Sequence, residues 1–153
     1  MDELIDKSRP GQYVVFAINK QLCALSIEEV MEIIRIQPIT DVPEVNDYIA
    51  GVINLRGNII PVVNLRKRYG MEAVSFQKKT RIIIVNDTTG DIGLIVDEVA
   101  MVTYVEEENL EPPLDVFNSI EKECFNGFVK REGQLIGILN LKNVLYPAIS
   151  KEV

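Results

Sequence analysis

The stretch that decides the fold is residues 51–66, GVINLRGNIIPVVNLR, because a second copy of it follows later in the chain. Residues 127–142, GFVKREGQLIGILNLK, align with it without a gap at a shift of 76 residues. Chance would give about one identity in sixteen positions at the ~6% background of typical residue usage. Five are found: Gly51/Gly127, Gly57/Gly133, Ile60/Ile136, Asn64/Asn140 and Leu65/Leu141. The chain therefore contains a duplicated unit.

Each copy has the pattern of a β-hairpin followed by a short helix. In the first copy, two β-branched runs flank a turn in which Gly57 can take the positive φ that a tight hairpin requires. Asn64 is a favourable N-cap for a helix over residues 65–69, and Gly70 is a favourable residue to end it. The second copy predicts the same hairpin over residues 127–139 and a short helix after Asn140.

The repeat extends upstream with changes in loop length. Residues 16–19 match residues 83–86 at a shift of 67, and residues 23–33 match residues 92–102 at a shift of 69. Insertions confined to turns are what a duplicated supersecondary unit should show, since loops tolerate added length at small entropic cost. We expect a first half over residues 12–79, a second over 80–148, and short tails at 1–11 and 149–153.

Each half contains about five short strands, which is too little sheet to be left open with exposed edges. Closure into a small barrel is therefore expected, and such a barrel has no interior room for a ligand. The predicted class is all-β, with two pseudo-symmetric five-stranded barrels packed together and short helical turns. The sequence leaves open whether strands are exchanged between the halves. One such helical turn is expected over residues 27–31, because Ser26 and Glu29 have capping-box spacing.

The composition excludes several classes of function. The chain has no histidine, so it lacks the commonest general base and the commonest metal ligand. A net charge of −7 disfavours binding to nucleic acid. Cys23 and Cys124 lie far apart in apolar stretches, which predicts buried reduced thiols. With no signal peptide and no membrane-spanning run, we expect a soluble cytoplasmic protein that needs no cofactor and is not an enzyme.

The informative position is where the two copies disagree. The second hairpin turn is an ordinary charged one, Lys130-Arg131-Glu132, whereas the first is Asn54-Leu55-Arg56. Arginine offers a fixed fork of donors for carboxylates, and a neighbouring leucine adds apolar contact typical of interfaces. A solvated turn arginine without a partner is the alternative interpretation. Because Glu32 aligns with Met101 of the second half, the first half could also hold its own Glu32–Arg56 ion pair.

The segments just described resemble a known family. Residues 51–57, GVINLRG, followed by IPVVNL at 60–65, are similar to the central signature of the chemotaxis coupling protein CheW and of the matching regulatory domain of CheA kinases. YVVF at 13–16, IEEVMEI at 27–33 and IGLIVDEV at 92–99 resemble the family's other marked segments in the same order. The resemblance implies two SH3-like barrels packed on each other.

The resemblance also implies a function. Family members link the cytoplasmic tip of methyl-accepting chemotaxis receptors to the histidine kinase CheA and help to assemble receptor arrays. The family's coupling arginine and glutamate fall on Arg56 and Glu32. Matched positions and their motif neighbours complete the predicted receptor-binding set: Val30, Ile33, Gly51, Asn54, Leu55, Gly57, Gly93 and Val99. The kinase-binding surface is not identified by the sequence.

Other interpretations compete with an adaptor. A detached regulatory domain of a CheA-type kinase, or another β-barrel binding module, would share the same sequence pattern. A small β-barrel enzyme would need a carboxylate with a shifted pKa in a cleft. A nucleic-acid-binding barrel would need a basic, aromatic face.

Overall fold

Strands account for most of the computed structural model, which describes residues 11–43, 45–113 and 122–146. Apart from Gly11, the two predicted tails lie outside the described residues. The strands are β1 (Gln12–Ile18), β2 (Gln21–Ser26), β3 (Val30–Arg35), β4 (Ile49–Leu55), β5 (Asn58–Asn64), β6 (Arg81–Asp87), β7 (Gly90–Val96), β8 (Glu98–Tyr104), β9 (Phe125–Arg131) and β10 (Gln134–Leu139). The helices are α1 (Leu65–Arg68) and α2 (Leu141–Leu145), and single 3₁₀ turns occur at Glu107–Asn109 and Lys122–Cys124.

The strands form two five-stranded sheets. One, the central sheet, has the order β3-β6-β7-β5-β4 and is built from one continuous part of the chain. The other, the terminal sheet, has the order β8-β1-β2-β10-β9 and combines the first two strands with the last three. Neighbouring strands are antiparallel except for β5 beside β7 and β2 beside β10. The predicted all-β class with two five-stranded SH3-like units is confirmed.

The two sheets are related by the sequence repeat. In the repeat, strands β1 to β5 correspond in order to strands β6 to β10. When every strand is exchanged for its counterpart, the order of one sheet becomes the order of the other. Each sheet consequently draws strands from both repeat halves, so the halves at 12–79 and 80–148 are sequence units that do not coincide with the sheets. The alternation of apolar and polar residues with a period of two specifies which face of a strand is buried. It does not specify which strand lies beside it.

The buried apolar side chains of the two sheets form three clusters. The alternation along β1 sends Val14 and Phe16 into a seam core between the sheets and Val15 into a terminal core inside the terminal sheet. The central sheet encloses its own central core, formed by Ile53, Ile60, Val62, Ile82, Ile84 and Ile95. Cys23 and Cys124 are both free and both buried in the seam core, which confirms the predicted thiols.

The turns and caps follow the residue types that the sequence placed there. Arg56 and Gly57 have φ values of 51° and 86°, and their repeat partners Glu132 and Gly133 have 51° and 81°, so both hairpins use the same type of two-residue turn. The side chain of Asn64 accepts from the backbone N–H of Lys67 at 3.3 Å, which confirms the predicted helix N-cap.

The predicted helical turn over residues 27–31 is wrong in its extent. The backbone N–H of Glu29 donates to the carbonyl of Ser26 at 2.9 Å, which forms a tight turn, but β3 already begins at Val30. Val30 and Ile33 are buried in the seam core, and pairing with β6 places them there. Burial of these two side chains outweighs the local capping preference.

Two glycines of the repeat allow a loop to cover a strand edge. The loop after β3 pairs with β4 through Thr40 and Val52, and the loop after β8 pairs with β9 through Glu111 and Phe128. A Cβ on Gly51 would lie 2.2 Å from the carbonyl oxygen of Thr40, and one on Gly127 would lie 2.3 Å from that of Glu111. These contacts explain why both copies carry glycine at this position.

Candidate functional site

The tip of the β4–β5 hairpin is the most exposed part of the predicted site. The Arg56 side chain is 68% exposed and sits at a turn position with positive φ. The side chain of Asn54 accepts from the backbone N–H of Gly57 at 3.0 Å, which fixes the turn from within. The guanidinium group is thus presented to solvent on a well-defined backbone.

An ion pair joins this tip to the opposite edge of the central sheet. Arg56 donates to the carboxylate of Glu32 on β3, which confirms the pairing that the sequence asymmetry predicted. Glu32 is only 20% exposed, so its position is more fixed than that of the arginine. An exposed pair of this kind contributes at most about 1 kcal/mol to stability. The pair therefore matters more for how Arg56 is presented than for holding the fold together.

A second contact ties the same tip to the loop after β3. The Nε2 of Gln37 donates to the backbone carbonyl of Asn54 at 2.9 Å. Sequence reasoning missed Gln37, because a single polar side chain in a loop gives no periodic or compositional signal. The only clue in the sequence is that Glu106 follows β8 where Gln37 follows β3.

The second half has the same backbone with different side chains. Glu132 occupies the turn position of Arg56 with the same φ of 51°. Met101, the repeat partner of Glu32, packs against the terminal core instead of pairing with a charge. The duplicated scaffold thus carries the acid–base pair at one hairpin tip and an acidic residue at the other.

Exposed apolar side chains occur on the strands next to the Glu32–Arg56 pair. Ile59, which lies across the hairpin from Asn54, is 64% exposed, and Met31, beside Glu32, is 49% exposed. Leu55 packs partly against the central core. Arginine and exposed apolar side chains on the same hairpin are common features of protein interfaces. Sequence reasoning missed Ile59 and Met31, although both occupy outward positions of their strands.

The remaining predicted site residues have structural environments. Val30 and Ile33 are buried in the seam core, and Val99 packs against it. A Cβ on Gly93 would lie 2.8 Å from the Cγ2 of Ile82, so this glycine allows close packing within the central sheet. These residues can support a binding surface by packing beneath its exposed side chains. Their contact with a receptor stays a prediction.

Asp97 and Glu98 have separate partners. Asp97 accepts from the Nε and Nη2 of Arg66 at 2.9 and 2.6 Å and from the backbone N–H of Asn19 at 2.7 Å. Glu98 instead lies 3.6 Å from the Nζ of Lys79. Burial raises the pKa of the Asp97 carboxyl, but the hydrogen bonds from Arg66 and Asn19 and the positive charges of Arg66 and Lys79 together lower it by more, so the net pKa is below its usual value. Asp97 is therefore the structural anchor of the two, whereas the exposed Glu98–Lys79 pair adds little to stability.

The described residues include no cluster of three His, Cys, Asp or Glu side chains that could hold a metal ion. Nor does any helix among them have the length and apolar character to cross a membrane.

Comparisons with known proteins agree with the repeat and the motifs. Residues 12–148 match the family model described as "CheW-like domain". The chain is 36% identical to the chemotaxis protein CheW of Bacillus subtilis, covering 86% of this chain and 85% of that protein. It is 34% identical to the chemotaxis protein CheW of Thermotoga maritima, with 99% of each covered. The crystal structure of the scaffolding protein TtCheW from Thermoanaerobacter tengcongensis superposes with a TM-score of 0.82 at 38% identity, over 90% of this chain and 89% of that one. On this sequence and structural agreement, the chain belongs to the CheW-like domain family.

Proposed function

We propose that this protein is a chemotaxis adaptor that couples methyl-accepting receptors to the histidine kinase CheA. The observation that carries the proposal is the solvent-exposed Arg56, held by Glu32 at a hairpin tip whose duplicate has neither residue. A duplicated scaffold has no structural need for this difference, since both turns have the same backbone conformation. Family membership supports the same role.

The chemistry of the tip suits a helical receptor segment. The guanidinium fork can bind a carboxylate through two hydrogen bonds, and the exposed Ile59 on the same hairpin can add apolar contact. Because the Arg56 side chain is largely exposed and donates to Glu32 through Nη2, its other N–H groups can bind a receptor carboxylate while the pair with Glu32 stays in place. The proposed receptor surface therefore centres on β3 and the β4–β5 tip.

The kinase would bind elsewhere on the molecule. The regulatory domain of CheA kinases resembles this chain in sequence, so we expect the two to dock barrel against barrel. In the cell the protein would be cytoplasmic and recruited to receptor arrays at the membrane. Neither a cofactor nor catalysis is needed for this role.

Replacing Arg56 by Glu tests the proposal. The substitution reverses the charge offered to a receptor carboxylate and places two acids together, so co-sedimentation with receptor-containing membranes should fall at least tenfold. The thermal unfolding midpoint should change little, because the residue is exposed and its ion pair is weak.

The matched control is Lys130→Glu, the same charge reversal on the exposed end of the duplicate hairpin. It should leave recruitment near the wild-type level. Unchanged recruitment of both protein and kinase by the Arg56→Glu variant would refute the assignment of this surface.

A further inference from the structure

Gln37 lies two residues beyond the end of β3 and reaches across to the edge of the central sheet. Its Nε2 donates to the carbonyl of Asn54 at 2.9 Å, close to the turn formed by Arg56 and Gly57. Because β4 is the last strand of that sheet, no further strand in the described part of the chain lies beside this carbonyl to supply a donor. The side chain of Gln37 therefore takes the place of a neighbouring strand at this point.

The bond continues an existing ladder along the edge of β4. Val52 exchanges both backbone hydrogen bonds with Thr40, at 2.8 and 2.9 Å. Backbone groups of alternate residues face the same side of a strand, so the carbonyl of Asn54 faces the same way as that of Val52. Gln37 thus extends the edge pairing from Val52 to the hairpin tip with a side-chain amide.

Two contacts from β3 and its extension hold the tip. Glu32 binds the guanidinium of Arg56, and Gln37 binds the backbone of Asn54. The side chain of Asn54 in turn accepts from the N–H of Gly57. Gln37 is therefore linked through Asn54 to the turn that carries Arg56.

The second half cannot make the same link. Glu106 follows β8 at the position that Gln37 has after β3, and an ionised carboxylate cannot donate to a carbonyl. Lys130 replaces Asn54, so the internal turn contact is lost as well. Both contacts thus belong to the half that carries the Glu32–Arg56 pair.

We propose that Gln37 is a positioning residue for receptor binding, which holds the β4–β5 tip so that Arg56 is presented in its binding geometry. The inference rests on the proposed function, because it names a residue that acts through the same site. Fixing a loop in its bound conformation strengthens binding by reducing the ordering cost.

The variant Gln37→Met tests this role, because it keeps the length of the side chain and removes the donor without adding charge. One neutral hydrogen bond corresponds to a change of about two- to tenfold in affinity, so recruitment to receptor membranes should weaken by that factor. The matched control is Gln134→Met, on the exposed start of β10 beside the duplicate turn, which should leave recruitment unchanged.

A second measurement separates positioning from general destabilisation. Amide hydrogen exchange at Gly57 and Asn58 should become faster in Gln37→Met, whereas exchange in the buried strand β6 should stay as in the wild type. Acceleration in β6 as well would show a global loss of stability and would overturn a positioning role.

A double-mutant comparison identifies which idea fails if one does. In an Arg56→Ala background, Gln37→Met should have little further effect on recruitment, because its effect passes through Arg56. If Arg56→Ala weakens recruitment but Gln37→Met does not, the positioning role is wrong and the proposed function stands. If Arg56→Ala itself has no effect, the proposed receptor surface is wrong.

Discussion

Gly51 is the residue at which backbone geometry constrains the sequence most strongly. Its φ of 146° is unfavourable for residues with a side chain, and an added Cβ would meet the Thr40 carbonyl at 2.2 Å. The variant Gly51→Ala must therefore separate the covering loop from β4. We expect it to lower the free energy of unfolding by about 3 kcal/mol or more, measured by urea denaturation.

A matched glycine distinguishes the close contact from the effect of positive φ alone. Gly90 has a φ of 137°, close to that of Gly51, but a Cβ added there would have no other atom within 4 Å. Gly90→Ala should therefore cost only the backbone strain, about 1 to 2 kcal/mol by the same measurement. Equal losses for the two variants would contradict the steric explanation.

The sequence predicts part of the candidate site at the level of residues. Arg56 and Glu32 can be found because the two copies of the repeat differ there, which makes each copy a reference for the other. Gln37 also differs from its counterpart Glu106, but this difference does not reveal its role, which depends on a carbonyl 17 residues away that only the fold brings near. Likewise, the exposure of Ile59 cannot be predicted from the sequence, because it depends on whether another part of the chain covers the outer face of the hairpin.

At the scale of elements, Arg66 at the start of α1 connects parts of the two sheets through Asp97. The carboxylate lies between β7 and β8, and it also accepts from Asn19 in the β1–β2 turn. Asp97→Asn removes the charge from these bonds and should lower stability at pH 7 by about 1 kcal/mol, with solvent screening keeping the loss small.

The pH dependence of this loss follows from the lowered pKa of Asp97. The stabilising effect of the charge is present above the ordinary carboxyl pKa of about 4 and is lost as the pH falls through the lower folded value. Urea titrations should therefore show wild type and Asp97→Asn converging at acidic pH. Asp91→Asn, at a carboxylate of the β6–β7 hairpin bonded to Asn86, is the control and should show little difference at pH 7.

Elements can be predicted from the sequence where local chemistry decides them. Turn residues and helix caps predict the two hairpins of the repeat and the two short helices. Residues within a turn can supply the positive φ that it needs, and a neighbouring N-cap side chain can bond the unpaired backbone N–H groups of a helix. The prediction for residues 27–31 is wrong because long-range burial of Val30 and Ile33 overrides a local cap. The partners of each strand also depend on long-range packing, so the sequence leaves the exchange between halves open.

At the scale of the whole molecule, the seam core contains buried residues of both sheets, and we expect the sheets to unfold as one cooperative unit. Both thiols lie in it, and burial raises the pKa of Cys23 to about 12, although a hydrogen bond with the Tyr69 hydroxyl opposes the shift. A neutral, buried thiol reacts slowly. We expect thiol labelling at pH 8 to be slow in the native protein and to rise at the same urea concentration at which the β-sheet circular dichroism is lost.

The opposite result would also be informative. Labelling that becomes fast at a lower urea concentration would show that the sheets separate before they unfold. The seam core would then be a docking surface between two independent units and not the common core of one.

The topology of the terminal sheet also has a consequence for biosynthesis. Strand β2 is made early, yet its parallel neighbour β10 is near the opposite end of the sequence. The ribosome therefore completes every strand of the central sheet while one edge of β2 still has no partner. Unpaired strand edges readily join other chains. The nascent chain thus carries an aggregation risk at the edge of β2, and this risk lasts until β10 has left the ribosome and paired there.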